Sequence, residues 1–140
     1  MAPMNMPNTA ETPEAEPGSA RRRVLVLESD NLIRALIVEW LGMAGADALC
    51  VPDVAHARSV AQRCDLVLVD VPAPHRAARR TVMQLAQAIP HTPIIAMSAD
   101  ITACGPAARE ALARELGASA VLVKPFTQNA LLSALQNVRA

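Results

Sequence analysis

Lysine is nearly missing from this 140-residue chain: Lys124 stands alone among thirteen cationic side chains, and the rest are arginine. Aromatic residues are as scarce, with Trp40 and Phe126 the whole supply and no tyrosine. Leu, Val, Ile, Met and Ala must therefore fill any interior, a composition suited to helices laid against a sheet. Cysteine occurs three times, at Cys50, Cys64 and Cys104, an odd count with no closely spaced pair. That excludes a thiolate zinc site and a redox dithiol, and the three read as small buried hydrophobes of a reducing compartment. Neither sign of charge is in excess, since thirteen basic residues face thirteen acidic ones. The general attraction that polyanion binding needs is missing, so nucleic acid is not an expected partner. No apolar run is long enough to span a bilayer, and a soluble, cytoplasmic protein without a membrane contact is expected.

What is present is one domain's worth of patterned chain. Residues 1–20, MAPMNMPNTAETPEAEPGSA, are rich in Pro, Ala and Glu and lack the basic start and apolar stretch of a secretory signal. They read as a disordered tail ahead of a domain over 21–140. The triplet Arg21-Arg22-Arg23 reads as the solvated beginning of a strand in preference to a membrane or nucleic-acid contact. Beyond it, short β-branched runs alternate with helical patterns. Strands are predicted at Val24–Leu27, Ala46–Val51, Leu66–Val69, Pro93–Met97 and Ala120–Val123. All but the second are nearly continuous apolar runs, as strands covered on both faces should be.

The helices carry their own punctuation. Leu32/Ile33, Leu36/Ile37 and Trp40/Leu41 form a helical stripe that follows the capping candidates Ser29 and Asp30 and stops near Gly42 or Gly45. A second helix runs from an Asp53 cap to about Arg63, a third over roughly Ala77–Ala88, and a fourth from Pro106 to before Gly117. Thr127 caps the fifth, whose stripe is Leu131, Leu132, Leu135 and Val138. The pattern predicts an α/β fold, a doubly wound five-stranded parallel sheet of order 2-1-3-4-5 with helices on both faces.

In such sheets chemistry collects at the carboxyl ends of the strands. Glu28-Ser29-Asp30 ends strand one, Asp70 strand three, Ser98 strand four and Lys124 strand five; strand two ends in Val51-Pro52 and offers no reactive group. Polar residues follow strands in any protein, so Ser98 or Asp30 alone says little. The four ends together fit phosphoryl chemistry. Clustered carboxylates call for a hard cation such as Mg²⁺. Asp70 would be the nucleophile that becomes an acyl phosphate, with the Ser98 hydroxyl and the Lys124 ammonium on the phosphoryl oxygens. Lysine suits that place because a compact charge on a flexible stem can pair with Asp70 and then move to a phosphoryl oxygen, whereas arginine's fork wants a planar partner. His75, five positions after Asp70, reads as an exposed loop residue, as do His56 and His91. Arg76, Arg79 and Arg80 read as a solvated helix flank, with a partner-docking face as the alternative.

The segments VLVLESDNLIR, DLVLVDVPAP, PIIAMSAD and GASAVLVKPF together resemble the receiver domain of the two-component response regulator family, over about residues 22–139. The resemblance implies a flavodoxin-like fold, a cis Lys124–Pro125 peptide and Mg²⁺-dependent transfer of phosphate to Asp70 from a histidine kinase or histidine phosphotransferase. Metal ligands would be Glu28, Asp70 and the Pro72 backbone carbonyl, with Ser29 or Asp30 completing the set. It also implies a stand-alone phosphoprotein that signals to a downstream protein target, and no enzyme beyond slow self-dephosphorylation. Three departures stand out. Ser29 replaces the second of two adjacent acids, Val121 replaces the aromatic that commonly reports phosphorylation, and the stretch around ITACGPAARE is longer by about one helical turn. They motivate a second reading, a degenerate, phosphorylation-independent receiver acting as an interaction adaptor. A small phosphatase with an Asp nucleophile is a third, but a haloacid-dehalogenase-like enzyme wants an Asp at position 72, which is proline.

Overall fold

Five strands alternate with five helices in the computed structural model, which describes residues 21–72, 75–99 and 105–138. The strands are β1 (Arg23–Leu27), β2 (Asp47–Cys50), β3 (Leu66–Asp70), β4 (Ile94–Ser98) and β5 (Ala120–Val123). The helices are α1 (Asn31–Met43), α2 (Val54–Val60), α3 (His75–Ala88), α4 (Pro106–Leu116) and α5 (Gln128–Asn137), with one 3₁₀ turn, Ala61–Arg63, continuing α2. The strands form one sheet of order β2-β1-β3-β4-β5, and every neighbouring pair is parallel. This is the predicted arrangement. The proposed tail and residues 101–104 of the lengthened stretch, Cys104 among them, fall outside the described residues.

Alternation along the strands builds two cores. Val24, Val26, Leu66, Leu68, Ile95, Met97 and Leu122 face one side, where Ile37 and Leu41 of α1 and Leu131 and Leu135 of α5 cover them. Leu25, Leu27, Val67, Val69, Ala96 and Val121 face the other, under α2, α3 and α4. Each fully buried leucine or isoleucine contributes about 1.5–3 kcal/mol through removal from water. The same period-two geometry aims successive side chains to opposite faces, which is why β1, β3 and β4 read as continuous apolar runs.

Helix ends follow their local chemistry. Asp30, Asp53 and Thr127 accept from Ile33, His56 and Ala130 N–H groups as N-caps, and Gly117 ends α4 in the left-handed region at φ 79°. Of the two capping candidates for α1, Asp30 is the one used. Strands β3 and β4 run one residue further than predicted, so Asp70 and Ser98 are the last residues of their strands. Helix α3 begins at His75, which places that histidine on the helix, 3.5 Å from Glu115, and not in a loop.

Other expectations need correcting. Cys64 is buried, but Cys50 is exposed, because β2 is the sheet's outer strand and has little to cover it. Leu32 and Leu36 do not share the core of α1, since the helix turns Ile37 and Leu41 inward and leaves those two partly or largely in solvent. The arginine triplet is also more than solvated chain. Arg21 pairs with Asp47 at 2.8 Å, and Arg22 donates to the carbonyls of Leu135 at 2.7 Å and Val138 at 3.1 Å, the unsatisfied end of α5.

Candidate functional site

Three adjacent strands present polar residues at one edge. The register pairs Asp70 with Met97 and Ser98 with Val123, so Asp70, Ser98 and Lys124 occupy successive tips of β3, β4 and β5. Glu28 follows β1, the neighbour of β3 on its other side. The Lys124 N–H donates to the Ser98 carbonyl at 2.7 Å, which holds the tip of β5 against β4. The Lys124–Pro125 peptide is cis.

The ammonium of Lys124 donates to Asp70 Oδ1 at 2.9 Å and to Glu28 Oε1 at 2.9 Å. The Glu28 side chain is 1% exposed, that of Lys124 15% and that of Asp70 34%. A carboxylate as buried as Glu28 survives as a charge only when paired and hydrogen-bonded. Its second oxygen is taken as well, by the Asp30 N–H at 3.0 Å. Burial pulls the Lys124 pKa down, but the hydrogen bonds and charges of Asp70 and Glu28 outweigh it and the net shift is upward. Ser98 is buried beside this pair at the next strand tip.

The Glu28–Lys124 contact goes beyond the sequence reading, which gives Glu28 to metal alone. Strands β1 and β5 are three spacings apart in the sheet, about 14 Å, so two long side chains are needed to meet over β3 and β4. Glutamate in place of a shorter aspartate was the available signal. Arg34 was missed as well; its Nη1 donates to the Glu28 carbonyl at 2.9 Å and holds the acidic turn against α1.

The expected metal donors are not aimed alike. Asp30 Oδ1 accepts from Ile33 N–H at 2.9 Å and serves the helix, while Ser29 is uncharged and exposed. Both Glu28 oxygens are engaged, which leaves the Asp70 oxygen not held by Lys124 and the exposed loop at Pro72. Among the described residues no group of three or more His, Cys, Asp or Glu is arranged to hold a metal ion. As placed, these residues do not fit a tightly held divalent cation, and the ammonium bridges the two carboxylates instead. Among the described residues no helix is long and apolar enough to cross a membrane.

Comparison with known proteins gives the same shape. The profile of the response regulator receiver domain matches residues 24–136. Among solved structures, the chemotaxis response regulator CheY4 of Vibrio cholerae is 26% identical with a TM-score of 0.66, over 84% of this chain and 98% of that one. A CheY-like receiver domain from Methylobacillus flagellatus is 24% identical with a TM-score of 0.65, over 84% and 98%. One from Methanospirillum hungatei is 16% identical with a TM-score of 0.66, over 84% and 92%. Among curated proteins no sequence matches.

Proposed function

This chain belongs to the response regulator receiver family, and from that premise we propose that Asp70 accepts a phosphoryl group from the phosphohistidine of a kinase or phosphotransferase. The loaded domain then signals through protein contacts. One observation carries the reading: the single lysine lies 2.9 Å from Asp70 at the strand tip next to Ser98.

In the transfer, the Asp70 oxygen not held by Lys124 attacks phosphorus. The N–P bond of the partner breaks, its imidazole, already protonated on the ring nitrogen that does not carry phosphorus, leaves as the neutral ring, and an acyl phosphate forms on Asp70. Lys124 moves with little displacement from the carboxylate to a phosphoryl oxygen, and the Ser98 hydroxyl donates to another. Receivers generally bind Mg²⁺ at their acidic pocket; because the donors present here do not fit it tightly, no step is assigned to a metal. A groove of about 570 Å³ between α4, β5 and α5 is lined by Val123 and Pro125, the two neighbours of Lys124. A movement of Lys124 on phosphorylation therefore reaches that surface within one residue, which makes it the face for a downstream target.

Incubation with acetyl phosphate tests the reading. Intact mass should show one phosphoryl adduct, absent in Asp70→Asn and discharged by hydroxylamine. A folded wild-type chain that takes up no phosphoryl group rejects it. The doubly paired ammonium favours a second reading, an adaptor that works without phosphate, since the pocket's negative charge is already partly neutralised. Asp70→Asn leaving partner binding unchanged would select that adaptor.

A further inference from the structure

Outside the strand-tip site, the first half of α3 and the last turn of α4 enclose a groove of about 610 Å³. Arg76, Arg79 and Arg80 line one wall and Arg114 the other, and Met83, 48% exposed, with the largely buried Leu116 gives the groove an apolar part. The single carboxylate there, Glu115, faces His75 at 3.5 Å and ties the two helices together. None of the four guanidinium groups has an ion pair among the described residues.

The arginines work against the helix that carries them. The start of a helix bears partial positive charge and favours acids, yet the first turn of α3 holds none, and Arg76, Arg79 and Arg80 occupy its first half. Arg76 is three residues from Arg79 and four from Arg80, spacings at which like charges on one helix face repel. Both effects weaken the isolated chain, and both reverse when carboxylates arrive from outside. With thirteen acidic residues against thirteen basic ones, the whole chain lacks the long-range attraction that nucleic acid exploits. A protein segment with acids beside an apolar residue matches the groove's charge and its methionine together.

We propose that the α3–α4 groove docks an acidic amphipathic helix of another protein, its carboxylates on the arginines and an apolar side chain on Met83 and Leu116. The spacing selects a helix. Along α3, Arg80 lies about 6 Å and Met83 about 10.5 Å beyond Arg76, on one stripe. A second helix laid alongside presents its residues i, i+4 and i+7 at the same intervals on one face. An extended strand returns to one face at about 6.8 Å and about 13.6 Å, so it would meet the arginines or the methionine but not both. A trough between two packed helices also suits a third, whose axis would stand about 8–10 Å from theirs.

None of these residues belongs to the strand-tip site, so docking is tested on the unphosphorylated full chain. The probe is a synthetic peptide of about 16 residues, EAAAEAAL written twice, with a hydrocarbon staple on its alanine face. Amide and arginine Nε–Hε resonances are followed at about 0.01 M salt. Saturable shifts should centre on α3 and the last turn of α4. Arg79→Gln with Arg80→Gln, both exposed, should weaken binding about fivefold, and a peptide of the same composition with its glutamates spread around the helix should bind more weakly by a similar factor. Raising the ionic strength to about 0.15 M, which shortens the screening length from about 30 Å to about 8 Å, should weaken it too. Unmoved α3–α4 resonances at about 1 mM peptide overturn the proposal, as do equal affinities for the two peptides or for wild type and the arginine variant. Shifts confined to the α4–β5–α5 groove would assign the peptide to another surface. The same α3–α4 shifts with inorganic pyrophosphate at lower concentration would assign the groove to a phosphate ligand, and shifts that grow with protein concentration alone would assign it to a second copy; each of the three likewise overturns it.

Discussion

Glu28 and Lys124, separated by 96 positions in the chain, meet at 2.9 Å over the tips of two intervening strands. Lys124→Met would leave Glu28 a buried carboxylate without its counter-charge, at a cost of about 3–5 kcal/mol. Adding Glu28→Gln should recover most of that loss, since removing both partners of a buried pair is close to neutral. Urea unfolding of the two single variants and the double variant measures it; a double variant no more stable than Lys124→Met alone contradicts the assignment.

Ser29 follows Glu28 directly after β1 and brings no charge to that turn. Ser29→Asp should strengthen Mg²⁺ binding at least tenfold, about 1.4 kcal/mol, a modest part of the attraction between close opposite charges at a protein surface. Amide shifts followed through a Mg²⁺ titration supply the readout, with wild type saturating only at much higher metal. Equal affinities would mean that Asp70 and Glu28 alone set the binding.

The raised Lys124 pKa has a definite consequence with pH. Its pairing contributes stability fully below the ordinary lysine value of 10.5 and loses it as pH rises through the folded-state value. No tyrosine and no other lysine titrate in that range, and the thiols of Cys50 and Cys64, which burial pushes above their usual 9.0, are unchanged in the variant used for comparison and cancel in the difference. Wild-type stability minus that of the Glu28→Gln/Lys124→Met variant should shrink above about pH 10.5 and stay flat from about pH 6 to 9. A difference that does not fall in alkali would show that the ammonium gains nothing from its partners.

Arg22→Ala removes two donors from the end of α5. The expected loss is about 1.5 kcal/mol, in the range for hydrogen bonds to a charged group, together with faster amide exchange in the last turn of that helix. Arg58→Ala, on the exposed face of α2, should stay within about 0.5 kcal/mol of wild type.

Local signals carried most of the fold. Asp53 and Thr127 as caps, Pro106 at the start of a helix and Gly117 at its end act through neighbouring backbone groups, so the adjacent residues suffice to place them. The apolar runs of β1, β3 and β4 reported burial on both faces. Leu32 and Leu36 misled because a stripe of paired apolar residues is wider than the strip of helix that touches the sheet. Cys50 misled because composition is blind to which strand lies outermost. In the site, Asp70 and Lys124 were legible from strand ends, whereas the hold of Lys124 on Glu28 and of Arg22 on α5 depends on side-chain reach between distant segments, which no local pattern records.

Because Arg22 grips the carbonyls of Leu135 and Val138, the chain enters and leaves the folded body at one corner. Spliced into a surface loop of a host protein, the body from Arg21 to Val138 would need only a narrow opening, and a short peptide joining those two residues would close a ring without bending the sheet.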